Sequence, residues 1–373
     1  MRVCWRDISS QRNSMAALYA ACERSGIDLH IVPEPSLDVT LYSLNSITGR
    51  NYYEEISNAE VVTVIGGPHA TARWKELVSI ADYVVIGEGE YTVPRLLRCI
   101  ESGASVPPGV ATSDGYQPVD HTVFLDGNPG FSKYRGYIEI SRGCPYKCAY
   151  CQTPRLFGHQ MRHRSIGSII SMAKTYSQIR LLSPNTLAYG TDGVHPDIRY
   201  VKRLLEELSK LPGREIYLGT FPGEVRPEFV DEEAVNLIFR YCANKKIHLG
   251  AQSGSDSVLY RISRSHTLSD IHTAVDKIVE GGLKPVIDII VGFPDETDEE
   301  MMDTVQLCRE VCRVGYVHAH RFISLPGTPL EGQRSRDLIP EAESALGSLA
   351  LSGKLTGSWN RSEIRFFSKI PKL

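Results

Sequence analysis

The sequence predicts an α/β protein in two parts, a doubly wound parallel sheet followed by a partial barrel of strands and helices. Three observations carry that expectation. Residues 1–108 alternate short apolar runs, each ending at Gly, Pro, Ser or Asp, with helical stretches. The runs are apolar nearly throughout, as in Val61-Val62-Thr63-Val64-Ile65, which suits strands covered on both faces. The same alternation resumes over residues 135–325 after a turn-rich stretch, and 373 residues are enough for two domains.

In the first part, strands are expected at 2–6, 29–32, 39–44, 61–65 and 83–86, with helices near 14–25, 52–57, 73–79 and 93–102. Asp114-Gly115, Asp126-Gly127 and Asn128-Pro129-Gly130 mark residues 109–134 as a linker without helical periodicity. The second part offers strands at 137–141, 179–182, 215–220, 246–251, 285–291 and 316–323. Helices near 165–177, 198–211, 231–241, 268–280 and 299–314 fill the gaps. Six parallel strands make an open (β/α)6 barrel, with a side through which a large substrate enters. Residues 326–373 form a C-terminal extension with an amphipathic helix at 340–351. Trp359, Phe366 and Phe367 in it cover the barrel mouth or pack beneath it.

A net charge of −3 gives no argument for a nucleic-acid or membrane partner. No apolar run approaches the ~20 residues of a membrane span, and the first residues lack a basic-then-apolar signal, so a cytoplasmic protein is expected. Cys4, Cys22, Cys99, Cys242, Cys308 and Cys312 are scattered. In a reducing compartment they read as small buried hydrophobes.

Cys144, Cys148 and Cys151 are different: three and then two residues separate the thiols, directly after the strand at 137–141. Sites sit at the carboxyl ends of strands in such folds. Three thiolates in one loop can hold three irons of a 4Fe–4S cube and leave the fourth open to a small chelating ligand, whereas four-cysteine sites fill every position. A structural zinc site is the alternative; it wants a fourth ligand at knuckle spacing, and His159 and His163 lie too far along the chain for that. Residues 131–165 also carry seven Lys or Arg against one acid, Glu139, which balances local thiolate charge or forms a solvated face.

The Cys-x3-Cys-x2-Cys loop, together with the strand ends downstream of it, resembles the radical SAM enzymes. The resemblance implies a 4Fe–4S cluster on Cys144, Cys148 and Cys151 and S-adenosyl-L-methionine on the open iron. It places Tyr150 against the adenine; Ser183 and Asn185, after the second strand, near the ammonium; and Gln252 and Ser253 at the ribose and carboxylate. Arg264 falls near the carboxylate, where its multi-donor head suits the partner, and Val291 falls along the adenine.

The first part resembles the cobalamin-binding, Rossmann-like domain that precedes many such barrels. Two Gly-rich loops at strand ends carry this likeness: Gly66-Gly67-Pro68-His69-Ala70-Thr71 and Gly87-Glu88-Gly89-Glu90. Glycine there lets backbone approach a large flat ligand. Residues 6–13 lack the Asp-x-His-x-x-Gly histidine, which implies base-off cobalamin without that ligand. The resemblance extends to short archaeal-type methyltransferases of this class, found in methanogens, including the glutamine C-methyltransferases that modify methyl-coenzyme M reductase. It implies methylation of an unactivated sp3 carbon in a protein or peptide, best the Cα of a glutamine, as a post-translational modification. An electron donor such as ferredoxin or flavodoxin is implied as well. The catalytic residues are not assigned from sequence. Rival readings are a non-methylating or small-molecule cobalamin reaction, methylthio transfer, and a non-catalytic cobalamin or redox sensor. Methylthio transfer calls for three further cluster cysteines, and Cys4, Cys22 and Cys99 are not at the strand ends where these belong.

Overall fold

A computed structural model of the chain describes residues 1–8, 12–127 and 133–360. The turn at Asn128-Pro129-Gly130, most of the loop after the first strand and the aromatics Phe366 and Phe367 lie outside the described residues. Among the described residues the chain divides into two compact units, one of Met1–Gly136 with Arg155–Phe157 and the other of Tyr137–Pro154 with 158–360.

The first unit is built on five parallel strands, β1 (Val3–Arg6), β2 (Leu29–Val32), β3 (Val39–Ser43), β4 (Val62–Gly66) and β5 (Tyr83–Val85). Their order is β2-β1-β3-β4-β5, a doubly wound sheet whose direction of winding reverses between β1 and β3. Alternation sorts the side chains. Val39, Leu41 and Val64 pack with Met15, Tyr19 and Cys22 of α1 (Arg12–Arg24), and with the apolar residues of the helix at Gly89–Ser102. Tyr42, Leu44 and Ile65 pack on the other face with Ile56 of α2 (Tyr53–Ser57) and with Ala70 and Leu77 of α3 (Pro68–Leu77). The helix at Gly89–Ser102 is α4. The expected linker is partly sheet: β6 (Val110–Thr112) and β7 (Gly115–Tyr116) form an antiparallel hairpin added to β5. Its turn is Ser113-Asp114, and Val110 and Ala111 are buried beside β5.

The second unit holds two parallel sheets. One orders β12-β11-β8, from β8 (Ile138–Glu139), β11 (Gln178–Leu182) and β12 (Glu215–Tyr217). The strand expected at 137–141 is in fact broken. Ser141–Arg142 is a separate strand, β9, which turns aside to pair antiparallel with β10 (Arg162–His163). The other sheet orders β13 (Lys246–Gln252), β14 (Lys284–Val291), β15 (Tyr316–Arg321) and β16 (Leu355–Thr356). An isolated parallel bridge ties Val225, beyond the end of β12, to Leu249 of β13.

Helices α5 (Thr153–Phe157), α6 (Ile166–Ala173), α7 (Ile198–Ser209), α8 (Glu232–Tyr241), α9 (Asp256–Arg261), α10 (Leu268–Glu280) and α11 (Asp298–Val314) complete the alternation. Capping boxes start two of them: Thr267 with Asp270 for α10, and Thr297 with Glu300 for α11. The C-terminal extension is part of the barrel architecture, because α12 (Pro340–Leu351) packs on α11 and β16 adds a strand beside β15. Trp359 is buried, near Gly347 of α12. No helix among the described residues is long and apolar enough to cross a membrane.

Candidate functional site

The cysteine loop is held by its backbone. Gly143 has φ +89°, and a Cβ there would meet the Gln160 carbonyl oxygen at 2.1 Å, so both conformation and space require glycine. Cys144 N–H donates to the Gly158 carbonyl at 3.1 Å, and Ala149 N–H donates to the Ile262 carbonyl at 2.9 Å. The loop is thereby pinned to the segment that follows α9. Cys151 N–H donates to the Cys148 carbonyl at 3.1 Å, and Thr153 N–H donates to Cys151 Sγ at 3.4 Å.

Burial pushes the Cys144 thiol up, a hydrogen bond from the Tyr146 backbone pulls it down, and the neighbouring Cys151 and Cys148 push it up again. Cys144 thus lies close enough to feel both other thiols. Among the described residues no trio of His, Cys, Asp or Glu closes around a single ion. Thiolates that each take a different iron of a cube need not converge on one point, so the two observations are compatible. N–H groups aimed at sulfur and an arginine alongside suit thiolates in such a cluster.

That arginine is Arg264, whose Nη1 donates to Cys148 Sγ at 3.7 Å while Nη2 donates to the Gly250 carbonyl. Its Nε is buried without a partner. Gly250 sits within β13, where glycine ordinarily weakens a strand. A Cβ there would stand 3.0 Å from each of Arg264 Nη2, Gln252 Nε2 and Glu224 Oε2. Three polar side chains from three segments therefore converge over one missing methyl.

Glu224 comes after β12 in the chain and was not singled out from sequence. Burial among protein groups, then the charge of Asp288, push its carboxyl up to about 7, against the pull of Arg264 and His248. By surface area the residue is nonetheless exposed, so neighbouring protein atoms and the charge of Asp288 crowd a carboxyl that water still reaches. Asp288 is 8% exposed and its Oδ2 lacks a hydrogen bond, although His248 Nδ1 lies 3.5 Å away. An acid inside Val286-Ile287-Asp288-Ile289-Ile290-Val291 was a legible signal, because charged residues are seldom buried in apolar strands without a task.

A second buried network braces the loop from behind. Arg226 stacks 3.5 Å from the Tyr146 ring centroid and donates to Glu228 at 2.6 Å; Tyr146 Oη donates to the same carboxylate at 3.4 Å. Burial would raise Glu228, but His266, whose Nδ1 lies 3.5 Å from Oε2, and the charge of Arg226 carry it down to about 2.

The residues expected at SAM divide into two groups. Tyr150 packs 5.9 Å from Phe293, and burial pushes its phenol well up. Asn185 is buried with Nδ2 unpartnered, and Gln252 closes β13 with φ +75°. These three and Arg264 present polar atoms or a ring to the same region. Ser183 is instead occupied: its hydroxyl donates to the Asn185 carbonyl at 3.0 Å. Ser253 is fully buried beside α11, 3.1 Å from Thr304 Oγ1, and accepts from Ser255 N–H at 3.2 Å. Val291 falls on the opposite face of β14 from Asp288 by strand parity, so Ile290 is the residue sharing the face of that acid.

In the first unit the Gly-rich loops behave unequally. Gly67 at φ +93° allows Leu44 backbone to approach, since a Cβ would lie 2.8 Å from the Leu44 carbonyl oxygen. Gly66 and Gly89 face Val85 and Leu18. Only Gly87, at φ +79°, borders open space, with its N–H donating to Thr71 Oγ1 at 2.9 Å. Pro68, His69 and Ala70 open α3, and His69 and Ala70 are buried. His69 is 1% exposed, its Nε2 lies 2.7 Å from Tyr53 Oη, and burial lowers it to about 4. It is a neutral core residue, not a group at the open edge. Glu88 and Glu90 flank the start of α4, with Glu90 buried.

Residues 138–308 match the family model described as the Radical SAM superfamily. Over 200 residues the chain is 34% identical to the tRNA-2-methylthio-N(6)-dimethylallyladenosine synthase of Finegoldia magna, covering 51% of this chain and 41% of that protein. The synthase of the same name from Aquifex aeolicus is 28% identical over 296 residues, with 76% and 66% covered. The chain thus spans from 41% to 66% of the length of these curated relatives. Among solved structures, the radical S-adenosylmethionine methyltransferase TsrM from Kitasatospora setae, with cobalamin and a 4Fe–4S cluster bound, superposes with TM-score 0.69 at 16% identity over 88% of this chain and 74% of that one. The cobalamin-dependent S-adenosylmethionine radical enzyme OxsB gives 0.64 at 16% identity, covering 82% of this chain and 51% of its own. At such identity these two share the fold. The segment 138–308, which contains the cysteine loop and the polar convergence over Gly250, is the part of the chain that resembles the radical SAM superfamily.

Proposed function

We propose that the protein binds a 4Fe–4S cluster on Cys144, Cys148 and Cys151 together with S-adenosyl-L-methionine, and uses the pair to methylate an unactivated carbon. The observation that carries this reading is the meeting of Arg264, Gln252 and Glu224 over Gly250, with Arg264 also on Cys148. When bound, the cluster supplies one electron that splits the sulfonium into methionine and a 5′-deoxyadenosyl radical able to take hydrogen from carbon.

The chain's own groups match the rest of that ligand. Arg264 offers a buried, unpartnered Nε–H to a carboxylate. Glu224 and Asp288 offer acceptors to an ammonium or to ribose hydroxyls, and a bound cation would hold Glu224 ionised. Gln252 and the unpartnered Asn185 Nδ2 add neutral contacts. Tyr150, beside Phe293, offers an aromatic surface to a base.

Cobalamin as the methyl carrier is supported by the β2-β1-β3-β4-β5 sheet, by the likeness in fold to two proteins whose names include cobalamin, and by open space at Gly87. The fit rests on that carboxyl edge and not on His69. The proposed acceptor is a protein or peptide carbon, and a glutamine-containing peptide is the first substrate to try. Methylthio transfer to tRNA is the second reading, favoured by the names of the curated relatives. Against it, Cys4 and Cys22 are buried at 0% exposure on β1 and α1, and Cys99 is on α4.

The test is anaerobic reconstitution with iron, sulfide, methylcobalamin and labelled SAM, followed by mass spectrometry of peptide and tRNA. A peptide gain of one CH2 supports methylation. A tRNA gain of one CH2S would establish the second reading and end the first.

A further inference from the structure

Resting on that reading of the second unit, we propose that the inner face of the β13–β16 sheet binds an anionic group of the substrate, a phosphate or a carboxylate. The site is centred on Lys246, Lys284 and Lys354 around Tyr316.

Strand parity defines the two faces. Ile247, Leu249, Ile287, Ile289, Val317 and Ala319 are all 0% exposed on the side covered by α10, α11 and α12. The other side carries Lys246 and His248 on β13, Lys284 and Asp288 on β14, and Tyr316, His318 and His320 on β15. Lys354, Thr356 and Ser358 lie in register beside β15. Branched apolar residues ordinarily fill this face of a barrel. Here, beside Val286 and Ile290, the strands carry three lysines, three histidines and a tyrosine against one acid of their own, Asp288, and Glu224 reaches the same face at Gly250.

The lysines break a pairing rule. Lys246 and Lys284 are direct Cα partners on neighbouring strands, and like charges placed so are destabilising. Their ammonium groups nevertheless gather with that of Lys354 around the Tyr316 ring, at 3.8, 5.9 and 5.1 Å from its centroid for Lys246, Lys284 and Lys354. One ring offers each exposed cation about 0.5–1 kcal/mol and neutralises none of them. Among the described residues, none of the three has a carboxylate within the 4.0 Å reach of an ion pair. A local rule broken without internal compensation marks a functional position. An anion is the compensation these charges lack.

The histidines extend the surface toward the SAM region. His318 and His320 stack edge to face at 4.5 Å, with Nδ1 of each engaged by Thr356 Oγ1 at 2.9 Å and Ser358 Oγ at 3.0 Å. That leaves Nε2 as the remaining polar atom of each ring. Asp288, the single acid, is already faced by His248. Along β13, Lys246 lies four residues before Gly250, or about 13 Å at ~3.3 Å per residue. The proposed ligand is therefore extended, its anionic end at the lysines and its reacting end near Gly250.

The test uses the full chain, anaerobically reconstituted, and thermal melting at matched ionic strength in KCl. Pyrophosphate probes for a phosphate site and tricarballylate for a carboxylate site. A saturable rise in melting temperature with either probe, beyond KCl, is expected, and the probe that acts names the anion. Lys246→Gln with Lys284→Gln should weaken the apparent affinity at least tenfold, Lys354→Gln should weaken it less, and Lys246→Arg should retain it. No saturable rise with either probe, or an equal rise in the double variant, overturns the proposal. Probe binding needs no SAM cleavage, so failure to form 5′-deoxyadenosine would count against the proposed activity and leave this test standing.

Discussion

Two glycines, Gly67 between β4 and α3 and Gly250 within β13, show how differently the two units use the same residue. Gly67, in the first unit, omits its side chain so that the chain can pack against itself, at the backbone of Leu44. Gly250, in the second, omits it so that the polar ends of Arg264, Gln252 and Glu224 can meet. The nearby histidines repeat the contrast. His69 is enclosed, with Nε2 on Tyr53 and Nδ1 unpartnered in the core, whereas His248 stands at a carboxylate, Asp288, whose Oδ2 has no hydrogen bond. A buried polar atom without a partner costs about 1–3 kcal/mol. Asn185 Nδ2, Arg264 Nε and Asp288 Oδ2 all carry that cost in the second unit. Glycine content alone does not mark a ligand site; converging polar side chains above one glycine, with Arg264 Nε unpartnered beside them, set Gly250 apart.

The comparison breaks hardest at the cysteines. Cys148→Ala should abolish iron retention and 5′-deoxyadenosine formation together, while Cys22→Ala, in the core of the first unit, should leave iron content intact and lower only the melting temperature. Iron analysis beside a melting curve checks both.

Gly250→Ala comes next. A Cβ 3.0 Å from three polar atoms should force them apart at a cost of about 1–3 kcal/mol, and SAM affinity by equilibrium dialysis should fall by roughly tenfold or more. Arg264→Lys should also weaken SAM binding, because a single ammonium cannot reproduce the guanidinium's separate reach to Cys148 and the Gly250 carbonyl.

Glu224 gives a pH signature. Its carboxyl is raised from 4.5 to about 7 in the fold, so between those values the folded protein holds a proton that the unfolded chain has released. Stability should therefore fall as pH rises from 4.5 through about 7, with the loss complete above it. Glu224→Gln should remove that part of the slope and be relatively more stable on the alkaline side. Glu296, also raised to about 7 by burial, slopes the same way in both proteins, so the difference between their melting curves reports Glu224 together with the Asp288 beside it.

The smallest effect is expected at Thr297, whose Oγ1 accepts from Glu300 N–H at 3.2 Å to start α11. Thr297→Ala should cost about 1 kcal/mol in urea titration, with SAM affinity unchanged.

Much of this was legible in the sequence, for physical reasons. The five parallel strands of the first unit and the long strands β13 to β15 arise from apolar runs punctuated by turn residues, and the cysteine loop is marked by its spacing. The hairpin of β6 and β7 was hidden because a three-residue strand beside Asp114-Gly115 gives too little alternation to separate it from a linker. The strand β16 is two residues long and owes its place to pairing with β15, which only the tertiary fold supplies. Ser183 and Ser253 follow strand ends, as expected, but a hydroxyl's direction depends on what bonds it, and both are occupied by the protein itself. Glu224 and Asp288 were missed for the converse reason, since each gains its meaning from a partner far away in the chain. Asp288 alone left a trace, as an acid in an apolar strand.

The central claim is that the groups over Gly250 hold SAM beside a cluster on Cys144, Cys148 and Cys151. Electron paramagnetic resonance of the reduced, reconstituted protein tests it most directly. The claim predicts a 4Fe–4S signal whose shape changes on adding SAM, with Arg264→Lys needing more SAM to produce the change. A fully assembled cluster whose signal ignores SAM, in a protein that forms no 5′-deoxyadenosine, would contradict it.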